Sequence, residues 1–249
     1  MSTDDTTPLT NAPRDFFATT HWTVVLNAGR REEPQAGRAL EELCRAYWYP
    51  LYAYLRRQGN SKEDAEDLTQ GFFAKFLERN YLERVSAEKG RFRAFLLASL
   101  KHFRANEWDW ANRQKRGGGM IPLSLDWQDA DSRYQIEPAD NLSPDKLYDR
   151  AWASMLLEQV ISRLQNESAT DGKARLFERL KPFLMLGKDA IPYVEAAADL
   201  GMAEGAVRVA VHRLRRRYRE LLRAEIAQTL SDPAQVEEEM KALFEAFRV

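Results

Sequence analysis

Residues 193–221 read YVEAAADLGMAEGAVRVAVHRLRRRYREL, and the rest of the chain is best read outward from them. Tyr193 to Leu200 has the period of a short helix, with small residues where a second helix must cross closely. Gly201-Met202 supplies the turn, because glycine accepts a reversing backbone without steric cost. Ala203 to Tyr218 forms a second helix. Its Val207, Ala210, Val211, Leu214 and Tyr218 recur at helical spacing and make a buried stripe. The opposite face holds Glu204, Arg208, Val209, His212, Arg213, Arg215, Arg216 and Arg219. An arginine-lined helix that follows a short helix and a tight turn has the pattern of a recognition helix in the major groove of duplex DNA. The plainer reading of the same residues is a solvated basic face on a helical hairpin.

Charge is distributed unevenly around this stretch. The chain has 249 residues and a net charge of −1, which by itself neither favours nor excludes a polyanionic partner. Ala203 to Arg223 carries seven arginines against two acids, a net of +5. Arg91 to Arg116 carries seven Lys or Arg against two acids, again +5, whereas Asp126 to Arg150 comes to −4. Two basic islands separated by an acidic stretch suggest two nucleic-acid-facing surfaces.

Upstream, the chain reads as helix after helix. Gly37 to Arg57 is amphipathic, with Leu40, Leu43, Cys44, Tyr47, Leu51 and Leu55 on one face, and Gly59-Asn60 stops it. Ser61 has the character of an N-cap, with Asp64 three residues on and acids in the first turn. That helix runs to about Arg79 with Leu68, Phe72, Phe73, Phe76 and Leu77 inward. Arg91 to about Arg113 follows, with Phe92, Phe95, Leu96, Ser99, Leu100 and Phe103 on one face. Gly117-Gly118-Gly119 ends the unit, and Met120 to Pro144 is a linker without sustained period. Ser143-Pro144 starts the next helix, proline being tolerated at the first helical position. Leu147 to Leu164 and Ala174 to Met185 precede the two short helices of Pro192 to Arg223. Ser231-Asp232-Pro233 opens a last amphipathic helix bearing Val236, Met240, Leu243, Phe244 and Phe247.

Several classes of function fit poorly. Hydrophobic residues make up 44% and charged residues 30% of the chain, a soluble globular composition. No apolar run approaches the ~18 residues of a membrane span, and Met1 to Pro13 lacks the basic and apolar segments of a secretory signal. The single cysteine, Cys44, excludes an internal disulfide framework and reads as a packing residue, which points to a reducing, cytoplasmic setting. His21, His102 and His212 are isolated and no cysteine pairs exist, so neither a metal site nor a cofactor is expected. Glu63, Asp64 and Asp67 would be the carboxylates of a metal-dependent nuclease. At successive helical positions, however, they splay around the axis.

Val194 to Leu221 resembles the C-terminal helix-turn-helix of bacterial sigma-70 family factors, in particular the extracytoplasmic-function group. A second match lies upstream, where Asp64 to Phe73, DAEDLTQGFF, is similar to the family's helix that docks on the clamp of core RNA polymerase. Arg91 to Arg116, RFRAFLLASLKHFRANEWDWANRQKR, resembles the promoter-melting helices, in which aromatics and cations lie together. The resemblance implies an all-α chain of two helical domains joined by an acidic linker. It divides the sequence into an extension (1–34), a docking and melting domain (35–116), the linker (117–144), a helix-turn-helix domain (145–228) and a terminal helix (229–249). It further implies that Glu204, Arg208, Val209, His212, Arg213, Arg215 and Arg216 read promoter duplex. Lys101, Arg104, Trp108, Trp110, Arg113 and Arg116 would hold the opened strand, cations on phosphates and aromatics on bases. Asp64, Asp67, Gln70 and Gly71 would meet the polymerase. The chain itself would perform no catalysis.

The chain departs from the family at Gly71, where a glutamate is usual. Thr69 lies nearby, and a phosphate of about −1.5 to −2 charge there would replace the missing acid. Thr69 is therefore the expected site for a Ser/Thr kinase, as in kinase-linked branches of the family. The competing expectation is an ordinary helix-turn-helix regulator that binds a DNA palindrome as a dimer without polymerase.

Overall fold

The computed structural model describes residues 34–77, 90–111, 132–135, 142–185 and 191–248. Among them the chain is mostly helical and contains no strand, as expected for the all-α class. The helices are α1 (Pro34–Arg57), α2 (Lys62–Phe76), α3 (Phe92–Ala111), α4 (Pro144–Thr170), α5 (Ala174–Leu180), α6 (Pro182–Met185), α7 (Tyr193–Leu200), α8 (Glu204–Gln228) and α9 (Val236–Glu245). Local signals set their ends. Ser61 caps α2 by accepting from the Asp64 amide at 3.0 Å, and Ser143 does the same for α4 from Lys146 at 3.3 Å. These caps satisfy first-turn amides that would otherwise lack partners.

α1 is more than the amphipathic helix its stripe implies. Leu43, Cys44, Tyr47, Leu51 and Leu55 are buried as expected, but so are Trp48, Tyr49, Tyr52, Ala53 and Tyr54. From Leu43 to Leu55 it is covered on most sides, with α2 and α4 packed against the helix. Tyrosine hides such a helix in a hydropathy pattern, because it buries a large ring while keeping a polar tip. Next to α1, Phe72 packs on Phe73, Phe76 and Phe103 at 5.3, 5.6 and 5.9 Å, and Phe92 meets Tyr47 edge-on at 5.3 Å. Each fully buried phenylalanine contributes about 1.5–3 kcal/mol of transfer free energy.

The apolar core does not divide where the linker divides the sequence. Leu147, Tyr148, Trp152, Leu156 and Val160 of α4 belong to the same buried cluster as the rings of α1, α2 and α3, and Leu221, Leu222 and Ile226 of α8 complete it. Part of the acidic linker joins this body as well. Tyr134 packs edge-on against Tyr52 at 6.4 Å, and Arg133 lies 4.4 Å over the Tyr49 ring while pairing with Glu158 at 2.9 Å. A second, smaller cluster of Leu180, Phe183, Ala196, Ala197, Val207 and Val211 lies under α7 and the start of α8. The helix after Gly201, expected to be short, runs for 25 residues and serves both clusters. Leu221, Leu222 and Ile226 continue its apolar stripe past Tyr218.

α9 closes the structure from the far end. The chain before it is tied to the start of α3, where the Phe92 amide donates to the Thr229 carbonyl at 2.9 Å beside an isolated antiparallel bridge between Arg91 and Leu230. Glu239 of α9 is wholly buried (0% exposed) and accepts from Arg93 at 2.6 Å and pairs with Arg91 at 2.9 Å. Arg93 also pairs with Asp149 of α4 and stacks 4.5 Å from the Trp152 ring. Burial works against the Arg93 charge, but the Glu239 and Asp149 carboxylates hold its pKa above the ordinary arginine value. Phe244 and Phe247, expected on the inner face of this helix, are exposed, while Met240 and Leu243 are buried.

Candidate nucleic-acid interface

α7 ends at Gly201, whose φ of 63° lies in the left-handed region that β-carbon sterics close to most residues. The turn it makes lets α8 start at Glu204 and cross α7, with Ala196, Ala197, Val207 and Val211 buried between them. That packing fixes which side of α8 faces solvent. Arg208, Val209, His212, Arg213 and Arg216 are exposed, and Glu204 is half-buried. Val209 is 50% exposed, an apolar side chain set among cations. Arg208 pairs with Glu204 at 2.6 Å, and Arg216 with Glu220 at 2.9 Å.

Arg215 is not part of this outward face. It is half-buried, and its Nη2 and Nε donate to the Phe183 carbonyl at 2.9 and 3.3 Å. Position 215 turns toward α6, so this arginine ties α8 to its support instead of presenting a free fork. His212, Arg216, Arg219 and Arg223 continue the exposed side of α8 and line a shallow depression of about 310 Å³ with Glu220. Arg223 is itself paired with Glu237 at 2.8 Å.

On α2, Asp64 and Asp67 are exposed and Gln70 is half-buried. Asp64 is partly engaged in the cap, accepting from the Ser61 hydroxyl at 2.8 Å. Gly71 and Thr69, expected on the outer surface, are both buried. Thr69 is 0% exposed, and its hydroxyl donates to the Ala65 carbonyl at 2.6 Å. The inward face is Ala65, Thr69, Phe72, Phe73 and Phe76, with Leu68 and Leu77 half-buried. Small Ala65 and Thr69 are wholly buried beside the phenylalanines, and Leu68 and Leu77 pack against the same core while half-exposed. Thr69, the expected modification site, is thus enclosed, and a phosphate there would require α2 to shift in its packing.

In α3, Lys101 is exposed and donates to Asp145 of α4 at 2.5 Å, while Arg104 is half-buried. The Asp145 carboxylate raises the Lys101 pKa above the ordinary lysine value. Trp108 and Trp110 fall within α3, but their side chains lie outside the described residues, as do Arg113 and Arg116 altogether. Among the described residues no group of three His, Cys, Asp or Glu side chains is arranged to hold a metal ion. No helix among them is long and apolar enough to cross a membrane.

Two features of the site escaped the sequence reading. Tyr193, the first residue of α7, lies beneath Arg208, its ring centroid 4.4 Å from the guanidinium carbon. Arg91 and Arg93, counted above within a basic island, are neutralised by α9 and α4. The first had a trace in the sequence, a large aromatic at a helix start just after Pro192. The second had none, because Glu239 is 146 residues from Arg93. The chain matches no protein-family model, no curated protein and no solved structure.

Proposed function

We propose that this protein is a sigma factor of the extracytoplasmic-function type, which brings core RNA polymerase to promoters and performs no catalysis itself. The observation that carries the reading is the outward face of α8, where Arg208, Val209, His212 and Arg213 are exposed directly after a tight glycine turn. Their donors suit the major groove, where arginine forks onto guanine and an apolar side chain meets the thymine methyl. The exposed acids Asp64 and Asp67 on α2 support a docking surface, and their segment lies in the family's order before the recognition helix. In this reading α1 to α3 form a docking and melting unit, and α4 to α8 form the helix-turn-helix unit. Lys101 and Arg104 reach the opened strand, for which Lys101 must leave Asp145. The natural setting is the bacterial cytoplasm.

Competition for fluorescently labelled core polymerase tests the docking half of the proposal. Asp67→Ala and Gln70→Ala are expected to weaken core binding by about two- to tenfold each, the worth of one polar contact at an interface. The melting temperature should stay unchanged, since Asp67 is exposed and Gln70 only half-buried. Unaltered affinity in both variants would remove α2 from the interface.

A further inference from the structure

Arg208 is an exposed cation of α8 that is held on two sides. Its Nε and Nη2 both donate to Oε1 of Glu204, at 3.0 and 2.6 Å, which takes up the side edge of the guanidinium. One flat face rests on Tyr193, 4.4 Å from the ring centroid. Tyr193 in turn is stacked on Phe183 at 4.8 Å with the rings 22° apart. Phe183 is buried in the smaller core, so the stack is anchored. The end of the guanidinium, Nη1 with the second Nη2 hydrogen, makes no bond among the described residues. Yet the side chain remains 60% exposed.

An arginine free to rotate suits a phosphate, which accepts from many directions. One whose plane and side edge are already fixed suits a rigid planar acceptor pair, and O6 with N7 of guanine is such a pair in the major groove. The neighbouring exposed Val209 suits base edges better than phosphates. From this geometry we infer that Tyr193 is a positioning residue, presetting Arg208 to read one guanine of the promoter duplex. The inference rests on α8 being the duplex-reading helix.

The test is selection of duplexes from a random-sequence pool by the full chain with core RNA polymerase, followed by sequencing. Wild type and Tyr193→Phe, which keeps the ring face, are expected to prefer guanine at one position by about tenfold or more. Arg208→Ala should lose the preference at that position alone. Tyr193→Leu, which still packs on Phe183, should reduce it to about threefold or less with the other positions unchanged. If Tyr193→Leu instead loses preference everywhere through misfolding, Tyr193→Met, which keeps apolar bulk against Phe183, decides, and it must lower the guanine preference alone. A guanine preference that survives intact in Tyr193→Leu, or in Arg208→Ala, overturns the inference and leaves duplex reading standing. Uniform weakening by Arg208→Ala across all sequences makes Arg208 a phosphate contact and also overturns it. A wild-type selection that enriches no sequence removes duplex reading and the inference together.

Discussion

Glu239→Ala is expected to destabilise the protein by about 3–5 kcal/mol, seen as a lower midpoint in urea unfolding. The carboxylate is wholly buried and pairs with both Arg91 and Arg93, so its removal takes the buried partner from both guanidiniums and leaves Arg91 with Glu238 alone. Asp149 still pairs with Arg93, which places the loss toward the lower end of that range. Glu238→Ala is the matched control. Its side chain is 70% exposed, and its pair with Arg91 at 2.5 Å should be worth under about 1 kcal/mol. Equal losses in the two variants would mean that α9 is not held by a buried ion cluster.

Trp152→Ala should cost about 3–5 kcal/mol, the usual loss for truncating a fully buried tryptophan. Its ring is 0% exposed, sits under Arg93, and belongs to the core shared by α1, α2, α3, α4 and α8. The diagnostic outcome is the form of the loss. Amide exchange in α2 and in the second half of α8 should accelerate together, because the elements on either side of the linker unfold as one cooperative unit. Acceleration confined to α4 and α8 would show that two independent cores abut.

What the sequence disclosed and what it withheld follow from the range of the interactions. Caps at Ser61 and Ser143, the stop at Gly59 and the turn at Gly201 are local events within four residues, and they were legible. The stripes of α3 and the first half of α8 were legible too, because strongly apolar side chains recur at helical period. α1 misled because its buried face includes tyrosines, and on α2 the phenylalanine stripe was legible but the burial of Thr69 and Gly71 beside it was not. The joining of the pre-linker and post-linker helices depends on Trp152, Arg93 and Glu239 meeting across long stretches of chain, and no periodicity encodes that. At the site, exposure of Arg208, Val209, His212 and Arg213 could be read from the stripe opposite. The diversion of Arg215 to the Phe183 carbonyl depended on where α6 ends up.

The most direct test of the proposed function is transcription reconstituted from purified core RNA polymerase, the full chain and genomic DNA fragments. The account predicts discrete transcripts that appear only when the chain is added. It also predicts that Arg208→Ala and His212→Ala lower them by about five- to a hundredfold while both variants still bind core polymerase, since the lost contacts are to bases. A chain that shifts duplex fragments by itself as a dimer, and adds no transcript to core polymerase, would contradict the account and identify an ordinary DNA-binding regulator.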